Sequence, residues 1–145
     1  MKFQSREHVS LIKEKHNEKC NGDSEYLRKV KALDFTMHIL IIDCPGGVDK
    51  LEKWVFDKGK VVSVKLEEKP APSDFRTQPW NPKESFLRTT APYDAFWKVA
   101  LKEMTPMEGL TKGLYRIDGD MTQLISKLPA ITAFTDFSGT IPSEY

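Results

Sequence analysis

His16 and Cys20 stand four residues apart in a stretch of helical spacing, so their side chains share a face and could supply two ligands to a metal ion. A structural zinc site needs four ligands. His8 lies eight residues from His16, a little over two turns away, and His38 belongs to a strand, so the set is not completed. The pair is read as part of a helix surface, and no metal ligand is assigned.

Cys44 could be a nucleophile with His38 as its base, but no carboxylate stands where it would orient the imidazole, and a small residue in a turn needs no chemistry. Gly46 and Gly47 open a strand, whereas phosphate cradles open a helix. Asp118-Gly119-Asp120 offers two carboxylates, and a capping role for Asp120 at a helix beginning with Met121 accounts for its type. No catalytic residue and no cofactor is assigned.

The elements that would position these residues are legible from periodicity. Val9, Ile12 and His16, then Tyr26, Val30 and Leu33, mark two short helices over 5–33, separated by Asn21-Gly22 and restarted by an Asp23 cap. From Asp34 the period becomes two. Strands are expected over 34–42, 50–57 and 61–67 as an antiparallel meander, with Glu52, Trp54 and Phe56 on one face of the second. Residues 68–83 carry four prolines and no periodicity, and Phe75 and Trp80 suggest that this loop is pinned to something.

A short strand over 84–89 follows. Tyr93, Phe96, Trp97, Ala100, Leu101 and Met104 then form a helical stripe with Pro92 at its start. Thr105-Pro106-Met107-Glu108 reads as a capping box opening a helix that Gly113 ends, and 114–117 as a last strand. Asp120 and Gln123 cap another helix carrying Met121, Leu124, Ile125 and Leu128. Pro129 marks its boundary, and Ile131, Phe134 and Phe137 suggest one more helical segment.

The chain has 145 residues, with 22 Lys and Arg against 21 Asp and Glu, and this balance removes the electrostatic ground for a nucleic-acid partner. The length suits a single domain, with helices over 1–33, a sheet and its covering helices over 34–137, and a tail over 138–145. Ile39-Leu40-Ile41-Ile42 is the longest apolar run, far short of the roughly 20 residues that cross a bilayer. The N-terminus has no apolar signal region and the C-terminus no address tag, so a cytoplasmic location is expected, with Cys20 and Cys44 as free thiols.

What remains unusual is the bulk of large, flexible apolar side chains late in the chain, enough to line a cavity as well as fill a core. The order of elements from Tyr93 to Leu128 resembles the sterol carrier protein type 2 domain: a helix ending in Lys102-Glu103, the Pro-led turn Thr105-Pro106-Met107-Glu108-Gly109-Leu110, a strand running into Asp118-Gly119-Asp120, and a further apolar helix. The resemblance extends over roughly residues 34–137 if the meander is counted. Lys102 stands where that family usually has Gly, and the 68–83 loop is longer and richer in proline.

The resemblance implies an α+β fold, a five-stranded mixed and mainly antiparallel sheet covered by helices, with an apolar cavity between them. It also implies non-catalytic binding and transfer of a lipid such as a fatty acid, acyl chain, sterol or isoprenoid. By position, Ile39, Trp54, Phe56 and Phe86 would approach that ligand from the sheet. Phe96, Trp97, Leu101, Met104, Met107 and Leu110 would approach it from the middle helices, and Met121, Leu124, Ile125 and Leu128 from the last one. The rival reading is an interaction or regulatory module with a filled core, docking a partner or a second copy of itself through Trp80 and the Pro-rich loop.

Overall fold

A computed structural model describes all residues from Met1 to Tyr145. The order is α1 (Arg6–Gly22), α2 (Ser24–Val30), β1 (Thr36–Cys44), β2 (Val48–Asp57), β3 (Lys60–Pro70), a 3₁₀ turn (Asp74–Arg76), β4 (Leu87–Pro92), α3 (Tyr93–Ala100), α4 (Pro106–Thr111), β5 (Arg116–Gly119) and α5 (Met121–Ser138). The five strands form one sheet in the order β3-β2-β1-β4-β5. Only β1 and β4 run parallel; the other neighbours are antiparallel. This is the expected α+β class with a mixed, mainly antiparallel sheet. No helix is long and apolar enough to cross a membrane.

Strand parity gives the sheet two different faces. Met37, Ile39 and Ile41 of β1 lie opposite Trp54, Glu52 and Lys50 of β2 and opposite Leu87, Thr89 and Ala91 of β4, so these residues share one face. The main apolar core joins this face to Val9 and Ile12 of α1, Tyr26 and Val30 of α2, and Leu124, Ala130 and Phe134 of α5. Helix α1 also covers the β3 edge. Asn17 accepts from the Val61 N–H and donates to the Val61 carbonyl, both at 2.9 Å, and Arg6 donates to the Leu66 carbonyl at 2.7 Å. An edge whose backbone groups are occupied in this way is a poor template for pairing with another chain.

The opposite face carries the Pro-rich crossover. A parallel pair such as β1 and β4 needs a long connection, and here residues 71–86 supply it without a helix. Asp49, whose side chain is wholly buried, accepts from the Ser73 N–H at 2.9 Å, the Ser73 hydroxyl at 2.7 Å and both Arg76 Nε and Nη2 at 2.8 Å. Arg88 on β4 donates to the Gln78 carbonyl at 2.7 Å, and Phe75 is buried. The loop is pinned as its aromatics suggested, though by a carboxylate as much as by rings.

The local caps match their sequence signals. Asp23 accepts from the Tyr26 N–H at 3.0 Å, Thr105 from the Glu108 N–H at 3.1 Å, and Asp120 from the N–H groups of Thr122 and Gln123 at 3.0 and 3.2 Å.

Several boundaries differ from expectation for identifiable reasons. Strand β4 runs over Leu87–Pro92 and not 84–89, because it follows β1 to Ile42 while Ser85 is still held by Trp80 Nε1 at 3.2 Å. Strand β5 begins at Arg116 because the Leu114 N–H closes the end of α4 on the Gly109 carbonyl at 2.9 Å. Helix α1 is long, at 17 residues, and His16 and Cys20 face the core and not the solvent.

Helix α3 stops at Ala100, one turn early, where Lys102 takes φ +61°; the Lys102 N–H returns to the Val99 carbonyl and the Glu103 N–H to that of Lys98. The last helix does not break at Pro129. That residue is exposed, and the stripe of Leu124, Leu128, Ile131 and Phe134 continues past it, so packing offsets the roughly 3 kcal/mol a mid-helix proline costs.

Candidate functional site

Between the inner face of the sheet and the helices lies a cavity of about 180 Å³. Its floor is Met37, Ile39, Trp54, Leu87 and Ile117 from the strands. Leu124, Leu128, Ile131 and Phe134 form the α5 wall, Phe96 and Val99 come from α3, and Ile12 from α1. Pro106, Met107 and Leu110 place α4 across one side. Met107 both lines the cavity and is 53% exposed, so α4 is the rim where interior and solvent meet.

The close seating of α4 depends on Gly109. A Cβ there would lie 2.5 Å from the ring of Tyr115, whose hydroxyl donates to the Ala95 carbonyl at 3.4 Å. The glycine lets the short helix approach the ring of Tyr115, the residue before β5.

Seventeen of the 25 lining residues are hydrophobic and none is lysine or arginine, so the interior suits an uncharged or apolar molecule. Thr89, Thr135 and Ser138 add hydroxyls to the lining, and Glu52, His8 and Gln4 break the pattern more sharply. Glu52 is 1% exposed; its Oε1 accepts from Trp54 Nε1 at 2.9 Å while its Oε2 has no partner, and burial pushes its carboxyl up to about 7. His8 is also 1% exposed. Its Nδ1 accepts the Gln4 N–H at 3.0 Å, which puts the proton of the neutral ring on Nε2, and burial pushes its pKa down against a smaller upward pull from the Ile141 backbone carbonyl. His8 Nε2 and Gln4 Oε1 are buried without hydrogen-bond partners.

Of the residues expected near a ligand, Ile39, Trp54, Phe96, Met107, Leu110, Leu124 and Leu128 line this cavity together. The others do not border it. Phe56 is buried in the core against Phe134, Phe86 stacks on Phe35 at 4.5 Å between centroids, and Met104 packs with Ala91, Ala95 and Tyr115. Trp97 meets Phe3 edge-on and borders, with Leu101, a second, smaller cleft. Met121 and Ile125 are 44% and 62% exposed, on the outer side of α5.

That Glu52, His8 and Gln4 line the cavity was missed in the sequence, although one signal was present: Glu52 shares a strand face with Trp54 and Phe56, an unusual place for a carboxylate.

The other chemical candidates are structural. His16 bonds Tyr26 Oη at 2.8 Å and the Gly59 carbonyl at 2.6 Å, and Cys20 Sγ lies 3.5 Å from His16 Nε2. Cys44 is buried, and burial pushes its thiol up to about 12, which disfavours the thiolate. Asp118 pairs with Arg88 at 3.1 Å and Arg116 at 3.4 Å.

No family model matches the chain, and no curated protein matches it in sequence. Solved structures do. A conserved hypothetical protein of Thermus thermophilus, described as possibly a sterol carrier protein, superposes with a TM-score of 0.74 at 14% identity, over 99% of this chain and 92% of that one. Sterol carrier protein 2 gives 0.66 at 14% identity over 91% and 96% of the two chains. The apo form of sterol carrier protein 2 from Yarrowia lipolytica gives 0.55 at 11% over 90% and 88%. At these identities the likeness is one of fold.

Proposed function

We propose, from the sterol carrier protein 2 fold as premise, that this chain binds an acyl or prenyl lipid in the cavity beneath α4 and α5 and carries it without chemical change. The observation that supports this reading most is the cavity itself, about 180 Å³ of mostly apolar space bounded by strands and helices and open at α4. An apolar cavity of about 150 Å³ already takes benzene, while drug-sized ligands need about 300 Å³ or more. A slim chain therefore fits the space better than fused sterol rings. Each buried methylene contributes about 0.8 kcal/mol, so eight of them supply about 6 kcal/mol before the costs of association.

The rim supports passage in and out. Helix α4 has six residues, and its Met107 faces both cavity and solvent. A fluorescent fatty-acid analogue tests the reading. Wild type should take it up with saturable, one-to-one binding. Leu128→Arg, which drives a charge into the lining, should abolish uptake in a folded protein, and Val62→Arg on the exposed edge strand should not. Uptake that survives Leu128→Arg would move the site elsewhere.

A further inference from the structure

Four buried side-chain polar atoms in the whole molecule lack a hydrogen-bond partner, and three of them, Gln4 Oε1, His8 Nε2 and Glu52 Oε2, belong to residues that line the apolar cavity. Leaving such an atom unpaired costs about 1–3 kcal/mol, so three at one site point to a partner that binds there. The three come from one neighbourhood. Gln4 holds His8 through its N–H, and the Gln4 carbonyl accepts from Lys50 Nζ at 3.0 Å; Lys50 stands two residues before Glu52 on the same face of β2.

We propose that Glu52, Gln4 and His8 form a headgroup site that selects amphiphiles ending in a neutral hydroxyl, the alkanols and prenols. This rests on the cavity being the lipid site. The open valences fit that head. Gln4 Oε1 is an acceptor and His8 Nε2–H a donor, and a hydroxyl satisfies both. A carboxylate head has no donor and would meet no lysine or arginine in the lining, and an ammonium head has no acceptor for the His8 proton.

Nothing charged faces Glu52 across the sheet either. Its partners are Ile39 and Leu66, and the nearby Lys50 is occupied by the Gln4 carbonyl and by Glu68 at 3.7 Å. The protonated Glu52 adds a second donor.

The test is a titration of the purified chain at pH 6 with octanol, octanoate, octylamine and octane, read by amide chemical shifts. Octanol should bind about tenfold tighter than octane, and octanoate and octylamine weaker than octanol. Glu52→Leu should narrow the roughly tenfold gap between octanol and octane to a few-fold while octane binding persists. Gln4→Leu, further from the core, should narrow the gap as well and serves if Glu52→Leu does not fold.

Equal binding of octanol and octane by wild type, a preference unchanged in the folded variants, or a tighter octanoate or octylamine would each overturn the headgroup site while leaving the lipid cavity in place. Binding of none of the four would overturn both.

Discussion

Trp54 Nε1 donates to Glu52 Oε1 at 2.9 Å, two residues apart on one face of β2, and this bond fixes a carboxyl at the floor of an apolar cavity. The indole satisfies one oxygen and leaves the other without a partner. A residue that costs stability when ionised is thereby held in the lining of the cavity with half of its hydrogen-bonding capacity unused.

Stability should depend on pH through this carboxyl. Glu52 is raised from 4.5 to about 7 by burial, so between those values the folded chain keeps a proton that the unfolded chain has lost. Its contribution is therefore constant below 4.5, falls as pH rises through the window, and is fully lost above about 7, on the order of 3 kcal/mol. His8 and His16, pushed below 6.5 by burial, act in the opposite direction, losing stability as pH falls. Comparison with Glu52→Gln cancels them. Urea unfolding at pH 4.5 and pH 8 should show the Gln variant gaining on wild type by a few kcal/mol at the higher pH; parallel profiles would contradict the burial of an ionisable carboxyl.

Lys102 sits at φ +61° in the turn that ends α3, a conformation that glycine adopts without strain. Lys102→Gly should stabilise by about 1 kcal/mol and raise Tm by roughly 2–4 °C. A lower Tm in calorimetry would mean that the lysine side chain makes a contact worth more than the strain.

Asp49 anchors the crossover loop, and the surrounding hydrogen bonds, Arg76 foremost, hold its carboxyl well below the usual range. Its stabilisation is present above 3.8 and is lost as pH falls beneath it. Asp49→Ala should cost about 3–5 kcal/mol, because the Ser73 N–H and hydroxyl and Arg76 Nε lose their acceptor and Arg76 keeps only Asp43. Limited proteolysis should then cut within residues 71–86 while the cavity still takes up the fatty-acid analogue. Protection of the loop in the folded variant would show that Phe75 and Arg88 suffice to hold it.

Much of this was legible in the sequence where the physics is local. The caps at Asp23, Thr105 and Asp120 depend on a side chain and N–H groups two or three residues away, and the strand faces follow from parity. The family resemblance also carried the five-stranded, mixed and mainly antiparallel sheet, which periodicity alone does not contain. What was missed depends on the third dimension. The end of α3 lay hidden because a lysine does the work of a glycine, and Pro129 read as a stop because its exposed side of α5 was not known. The inward turn of His16 and Cys20 required knowing that α1 packs along the β3 edge. Half of the residues expected near a ligand lie away from this cavity, in the core, at the surface or at the smaller cleft, since a helical stripe does not say which of its members meets a void.

The most direct test of the central claim is native mass spectrometry of the delipidated chain after exposure to a mixture of long-chain alcohols, fatty acids and sterols. A lipid cavity predicts a single one-to-one adduct enriched in the slim-chain lipids, absent from folded Leu128→Arg. A chain that remains free of adduct, or one that carries the same adduct with and without Leu128→Arg, would contradict a lipid site between this sheet and its helices.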